Sequence, residues 1–314
     1  DDIKTRIDDI KTRIDDIKTR IDDIKTRIKV LNSIIVNEFN HFVLKEYYGN
    51  SHAIIIGISN YKQEAPLANA YNDAIAVEKV LKEKYGFNIL ASTYNENATA
   101  GNITHIFTDI LQDKDIIGPK DRVLIYYSGH GKLRTILNRQ GQEIKQGFIV
   151  PHDSNKEKFN LNVPMETVVE GCQNCAAKHV LLILDCCYSG LAAIRSSERQ
   201  KPKKVSQFYL KEITSRSATQ VLAAGQEDQA VSDSGKRPGY SAFTGALLDI
   251  LDMERDLDDD GVLTASEIGY NLGKEVISHQ KGVYQKPVYN HISGSEGGDF
   301  IFKLFDISML SQPR

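Results

Sequence analysis

The 314-residue chain has no tryptophan, three methionines, eight prolines and only four cysteines. Four thiols in so long a chain exclude a disulfide-dense secreted scaffold and suggest reduced cysteines in a cytosol. Long apolar runs are also missing. The longest, Ala53 to Ile58 and Val180 to Leu184, fall far short of the roughly 20 residues that cross a bilayer, so no membrane partner is expected. The amino terminus has no apolar signal core, which points to a cytoplasmic protein. Charge of one sign is lacking as well: a formal net charge of −3 gives no general case for a nucleic-acid partner. What remains, 41% hydrophobic and 26% charged, is globular composition with room for one large domain or two small ones.

Residues 1–28 are four identical copies of DDIKTRI. The isoleucines, from Ile3 through Ile28, are spaced alternately by four and three, which is the seam of a coiled coil. With Ile7 at heptad position a, Ile10 is d, Lys11 e and Arg13 g, and Asp8 and Asp9 are b and c. Leu31, Ile35 and Phe42 extend the seam less regularly, so residues 1–42 read as a heptad-repeat helix. Within it Asp8 can pair with Lys11 and Asp9 with Arg13, at about 0.2–0.5 kcal/mol each. Both positions flanking the seam are basic. The partner expected is therefore either a helix with acidic flanking positions, or the chain itself in an assembly that weakens at low salt; a solvated spacer helix is the alternative.

After Tyr48 the pattern becomes α/β. Strands are expected at Ala53–Ile58, Arg122–Tyr127, Phe148–Val150 and His179–Leu184, and a helix from Asn69 to Tyr85. Alternating strands and helices predict a mostly parallel sheet covered on both faces, with function gathered at the carboxyl ends of its strands. Two such ends carry reactive groups: Ser128-Gly129-His130-Gly131 after one strand and Asp185-Cys186-Cys187-Tyr188-Ser189-Gly190 after another. A nucleophilic cysteine needs a base for its proton and donors for the oxyanion. His130 is the candidate base. Its flanking glycines leave room for a substrate backbone and free the Gly131 amide.

Together, Tyr126-Tyr127-Ser128-Gly129-His130-Gly131 and Leu184-Asp185-Cys186-Cys187-Tyr188-Ser189-Gly190 resemble the caspase-like cysteine peptidases, in the metacaspase and bacterial orthocaspase branch. Asn72-Asp73, Gln226 to Gln229 and Gly297-Gly298-Asp299-Phe300 support the resemblance, which covers roughly residues 51–305. It implies an α/β caspase-like sandwich: a large-subunit part at 51–194, a basic linker at 195–216 and a small-subunit part at 217–305. It makes Cys187, rather than Cys186, the nucleophile and His130 the base, with the amides of Gly131 and Cys187 holding the oxyanion and no cofactor needed for the chemistry. Tyr188 stands where the family often has a noncatalytic histidine.

The positions matching the family's primary pocket are Asp73, Ser128 and Asp185, with Asp228 a weaker candidate. Carboxylates there select Arg or Lys at the cleaved bond of a protein or peptide substrate. The competing assignment is that Asp73 and Asp185 cap helices or pair with local bases.

Three further features stand apart. Residues 256–267 match an EF-hand loop, with Asp256, Asp258, Asp260 and Glu267 at positions 1, 3, 5 and 12, Gly261 at 6 and the Val262 carbonyl at 7. The flanking Ala242–Leu251 and Ala265–Val276 look helical. This loop is either a candidate Ca2+ site or an acidic, self-solvating turn. Cys172 and Cys175 have the spacing of half a zinc site, but no second pair completes it, and they read as structural. Finally, residues 195–216 hold seven bases against two acids. Arg195, Arg199, Lys204 and Arg216 are candidate autocleavage points, unless the run is simply a solvated loop. The expected activity is an Arg/Lys-specific cysteine endopeptidase organised by a coiled coil. Its rival is a non-enzymatic, calcium-responsive oligomeric scaffold on the same fold.

Overall fold

A computed structural model describes residues 2–156, 158–186, 206–225, 232–253, 257–258, 260–278 and 285–304. Two compact units are present, residues 1–43 and 44–314.

The first unit belongs to a single helix, α1 (Asp2–Tyr47). No glycine or proline interrupts residues 2–47, and the repeat's side chains reinforce the helix locally. Lys11, Lys18 and Lys25 reach back three residues to Asp8, Asp15 and Asp22 at 3.4, 3.2 and 3.2 Å. The expected Asp9–Arg13 contact does not close. Both side chains are long or solvated and exposed, and such a surface pair gains too little to be held in one geometry. All eight isoleucines of the repeat are exposed, Ile7 to Ile28 by 45–54%.

In the second unit the elements follow as β1 (Ser51–Gly57), α2 (Ala70–Tyr85), β2 (Asn88–Tyr94), α3 (Ala100–Thr108), β3 (Arg122–Ser128), β4 (Gly131–Leu137), β5 (Glu143–Ile149), β6 (Val163–Pro164), α4 (Met165–Asn174), β7 (His179–Asp185), α5 (Gln207–Ser215), β8 (Ala218–Ala223), α6 (Ala242–Met253), β9 (Val262–Thr264), α7 (Ala265–Ser278), β10 (Val288–His291) and β11 (Ile301–Leu304). The central sheet runs β2-β1-β3-β7-β8-β10, parallel throughout except for the antiparallel β8–β10 pair. Its inner strands are buried on both faces, which is why they read in sequence as unbroken apolar runs. Alternate residues feed two cores. Ala53, Ile55, Leu124, Tyr126, Leu181 and Ile183 join residues of α2, α6 and α7, whereas Ile54, Ile56, Val123, Ile125, Leu182 and Leu184 join residues of α3 and α4. This is the α/β sandwich with a largely parallel sheet that the resemblance implies.

The strand expected at Phe148–Val150 proves to be the end of β5, which pairs with β4 in an antiparallel sheet beginning directly after His130. Val150 lies just outside it, its amide donating to the His130 carbonyl at 3.0 Å. Among the described residues no helix is long and apolar enough to cross a membrane.

Candidate active site

β3 and β7 are neighbours in register, Ser128 opposite Asp185, so the chain leaves both strands at one level of the sheet. The Gly129 amide donates to the Asp185 carbonyl at 3.2 Å and ties the two exits together. His130 follows at once. Its amide donates to the Tyr61 hydroxyl at 2.7 Å, and its carbonyl accepts from the Tyr127 hydroxyl at 2.6 Å. The imidazole leans on the Tyr61 ring at 4.8 Å, and Nε2 lies 2.8 Å from the Ala65 carbonyl oxygen. A carbonyl only accepts, so this contact puts the hydrogen on Nε2 and leaves Nδ1 as the basic nitrogen.

Gly129 has a steric reason within the fold to be glycine. A Cβ there would lie 2.6 Å from the Tyr127 hydroxyl and 2.7 Å from that of Tyr61. Gly131 opens β4. Because Val150 bonds to His130, the alternation of an antiparallel ladder makes the next pair, Gly131 and Ile149, a non-hydrogen-bonded one, and the Gly131 amide turns away from β5.

Asp73, Ser128 and Asp185 are all buried at this end of the sheet. Asp73, in the first turn of α2, and Asp185, at the end of β7, meet at Ser241. The Ser241 amide donates to Asp73 Oδ1 at 3.1 Å, and its hydroxyl donates to Asp185 Oδ2 at 2.5 Å. Thr244 Oγ1 gives Asp185 Oδ2 a second donor at 2.5 Å. Ser241 also caps α6, accepting from the Thr244 amide at 2.9 Å. Among the described residues Asp73 does not cap α2, and neither aspartate pairs with a basic side chain. Burial, and then the closeness of Asp185, pushes the Asp73 carboxyl up; burial likewise raises Asp185, against the hydroxyls of Ser241 and Thr244, which favour its charged form. Asp233, which accepts from the Ala68 and Asn69 amides at the start of α2, adds a third negative group that raises both.

Sequence reasoning missed these supports. Ser241 carried a signal, a serine directly before an apolar helical run. Tyr127 stood only within the run that carries the family resemblance, Tyr61 carried no signal beyond composition, and Ala65 acts through its backbone.

Cys187 and Asp228 lie outside the described residues, as do Asp256, Arg195, Arg199 and Lys204. Cys186 is buried in the core beside Leu184. Cys172 is buried and Cys175 partly so, both against the α3–α4 side of the core; burial raises both thiols, Cys175 to about 11. Arg216 is held in place: it pairs with Glu212 at 2.7 Å, and its carbonyl lies 2.9 Å from His179 Nε2. Asp258, Asp260 and Glu267 converge, each placing a carboxylate oxygen within 4.8 Å of the others, and Val262 opens β9 beside them.

Residues 50–291 match the model of the caspase domain of the C14 peptidases. Metacaspase-4 of Arabidopsis thaliana is 29% identical over 149 residues, 44% of this chain and 33% of that protein. Metacaspase-1 of Eremothecium gossypii is 26% identical over 154 residues, 46% of this chain and 33% of that protein. These matches thus span about a third of the length of the curated relatives. A protein of Geobacter sulfurreducens of known crystal structure shares the fold, with a TM-score of 0.53 and 16% identity over 84% of this chain and 97% of that one.

Proposed function

The chain belongs to the caspase-domain family and is related to metacaspases, and from that premise we propose that it is a cysteine endopeptidase cleaving after Arg or Lys, with residues 51–305 as the peptidase domain. Cys187 is the nucleophile. Cys186 is committed to the core, which leaves its neighbour in sequence as the candidate, and β7, the strand before it, ends in register with the strand that precedes His130. His130 Nδ1, freed by the Nε2 contact to Ala65, takes the thiol proton. The thiolate attacks the substrate carbonyl carbon to form a C–S bond, and the oxyanion is held by the Gly131 and Cys187 amides. His130 then protonates the leaving amine as the C–N bond breaks. A water molecule deprotonated by His130 releases the acyl group and restores the thiol. No step calls on a metal or cofactor.

The observation that carries the specificity is the buried Asp73–Asp185 pair, which no basic side chain among the described residues neutralises. Each carboxylate has lone pairs beyond those Ser241 and Thr244 use, and a guanidinium with five donors suits such a pair. Ser128 and Asp228 complete the proposed pocket. Fluorogenic Arg, Lys and Asp peptides test this: wild type should turn over Arg and Lys but not Asp substrates, Cys187→Ala none. Asp185→Ala with intact Arg turnover would sink the pocket assignment.

The exposed isoleucine stripe of α1 supports assembly through a coiled coil, with itself or with a helix bearing acidic flanks, and this would raise the local concentration for cleavage in trans. Self-processing is placed in the linker at Arg195, Arg199 or Lys204. The Arg216 bond is a poorer substrate because its carbonyl is already engaged by His179.

A further inference from the structure

The acidic loop between α6 and α7 is not used in the proposed cleavage steps, and it holds a buried carboxylate with one oxygen unsatisfied among the described residues. Glu267 is 2% exposed. Its Oε2 accepts from the Thr264 amide at 2.8 Å and from the Thr264 hydroxyl, and Thr264 Oγ1 accepts in turn from the Glu267 amide at 3.3 Å, a reciprocal cap on the first turn of α7. That cap uses one oxygen only. Oε1 is buried with no hydrogen-bond partner among the described residues, and it belongs to the side chain that converges with Asp258 and Asp260 within 4.8 Å. A cap alone does not require a second buried acceptor on a side chain that converges with two more carboxylates, since leaving such a group unsatisfied costs about 1–3 kcal/mol.

We infer that Asp258, Asp260 and Glu267, with the Val262 carbonyl, form a Ca2+ site that pins α6 to α7. The cation supplies the partner that Glu267 Oε1 lacks and offsets three converging negative charges. Oxygen-only donors suit a hard cation, and flexible carboxylates on a short loop suit Ca2+ over the strict octahedron of Mg2+. Gly261, at φ +88°, makes the sharp turn between the Asp260 and Val262 donors, and β9 is anchored on β11. The site stands independently of the peptidase reading. It is also remote from the Asp73–Asp185 pair along the chain: α6 starts next to Ser241 and has 12 residues, about 18 Å of helix.

The test is calorimetric titration and thermal unfolding of the full chain carrying Cys187→Ala, which prevents self-cleavage, with CaCl2 and separately MgCl2. One equivalent of Ca2+ should bind, and the melting temperature should rise by about 5–10 °C at a hundredfold excess over Kd. Glu267→Gln keeps an acceptor for the Thr264 cap and so should fold. It should bind Ca2+ at least about tenfold more weakly, and Asp258→Asn should do the same. Absence of both heat and melting shift in the parent protein overturns the site, as does undiminished binding in the two variants. Equal response to MgCl2 overturns the assignment to Ca2+. Should Glu267→Gln fail to fold, judged by circular dichroism, Asp258→Asn alone decides.

Discussion

Replacing Asp73 by Asn should make the protein more stable and less active, and both effects follow from one geometry. Asp73 is completely buried, faces Asp185 across Ser241 and has no cation among the described residues. Its proton is therefore held to higher pH in the folded chain than in the unfolded one, where an Asp ionises near 3.9. The sign follows directly. A carboxyl with a raised folded pKa contributes its full share to stability below the unfolded value, and that share is lost as pH rises through the folded value. Asn does not titrate, and its side-chain oxygen can still accept from the Ser241 amide. The advantage of Asp73→Asn should thus be slight near pH 4 and full near pH 8.

Each pK unit of difference is worth about 1.4 kcal/mol. Allowing for relaxation around the pair, the gain at pH 8 should be about 1–3 kcal/mol, or roughly 3–10 °C in melting temperature for a domain of this size. Turnover should move the other way. Removing one carboxylate from a desolvated charge pair with an arginine costs about 3–4 kcal/mol, so kcat/KM on an Arg peptide should fall roughly 100- to 1000-fold. Thermal unfolding of Cys187→Ala and Asp73→Asn/Cys187→Ala between pH 4 and 9 reads the first effect, and peptide kinetics of Asp73→Asn the second. A variant that is destabilised at pH 8, or whose advantage does not change with pH, refutes the electrostatic argument. Retained Arg turnover refutes the pocket.

Tyr61→Phe removes the hydroxyl that receives the His130 amide; kcat should fall about tenfold with KM nearly unchanged, and unaltered steady-state kinetics would show that the hydroxyl does not position the base. Gly298→Ala would bring a Cβ to 2.3 Å from the Arg216 carbonyl oxygen and 2.9 Å from that of Ile213, so urea unfolding should reveal a loss of about 2–4 kcal/mol; a loss under 1 kcal/mol would mean that the backbone there gives way freely. In sedimentation velocity the full chain should assemble more strongly as salt rises, because Lys at e faces Arg at g, and Ile10→Asp/Ile17→Asp should be monomeric; a wild-type monomer at every ionic strength, with no partner helix captured, removes the coiled-coil proposal.

The parts of this molecule that were legible in the sequence are those where one residue's burial is decided by its own type. β1, β3 and β7 lie inside a parallel sheet, so each had to be apolar on both faces and announced itself as a short run. β2 sits on the sheet edge with only Thr93 buried, and β4 with most of β5 is exposed or half-exposed; such strands carry no apolar run, and only Phe148 and Ile149, where β5 enters the core, gave a signal. The same division holds in the site. His130 was visible because a reactive side chain just past the end of a buried strand has a fixed place in space, whereas Asp185 stood out only through the family resemblance. Their supports were not, because each depends on a long-range approach: Ala65 offers a carbonyl that any residue would have, Tyr61 a hydroxyl 69 positions from His130, and Ser241 a cap that only the fold brings onto Asp73 and Asp185. Gly129 carries a constraint of the same long-range kind, because a Cβ there would run into the hydroxyls of Tyr61 and Tyr127. Reactive groups follow from local pattern, while the contacts that fix their protons and orientation are properties of the folded chain, and variants at Tyr61 and Ser241 therefore probe what motif matching alone cannot.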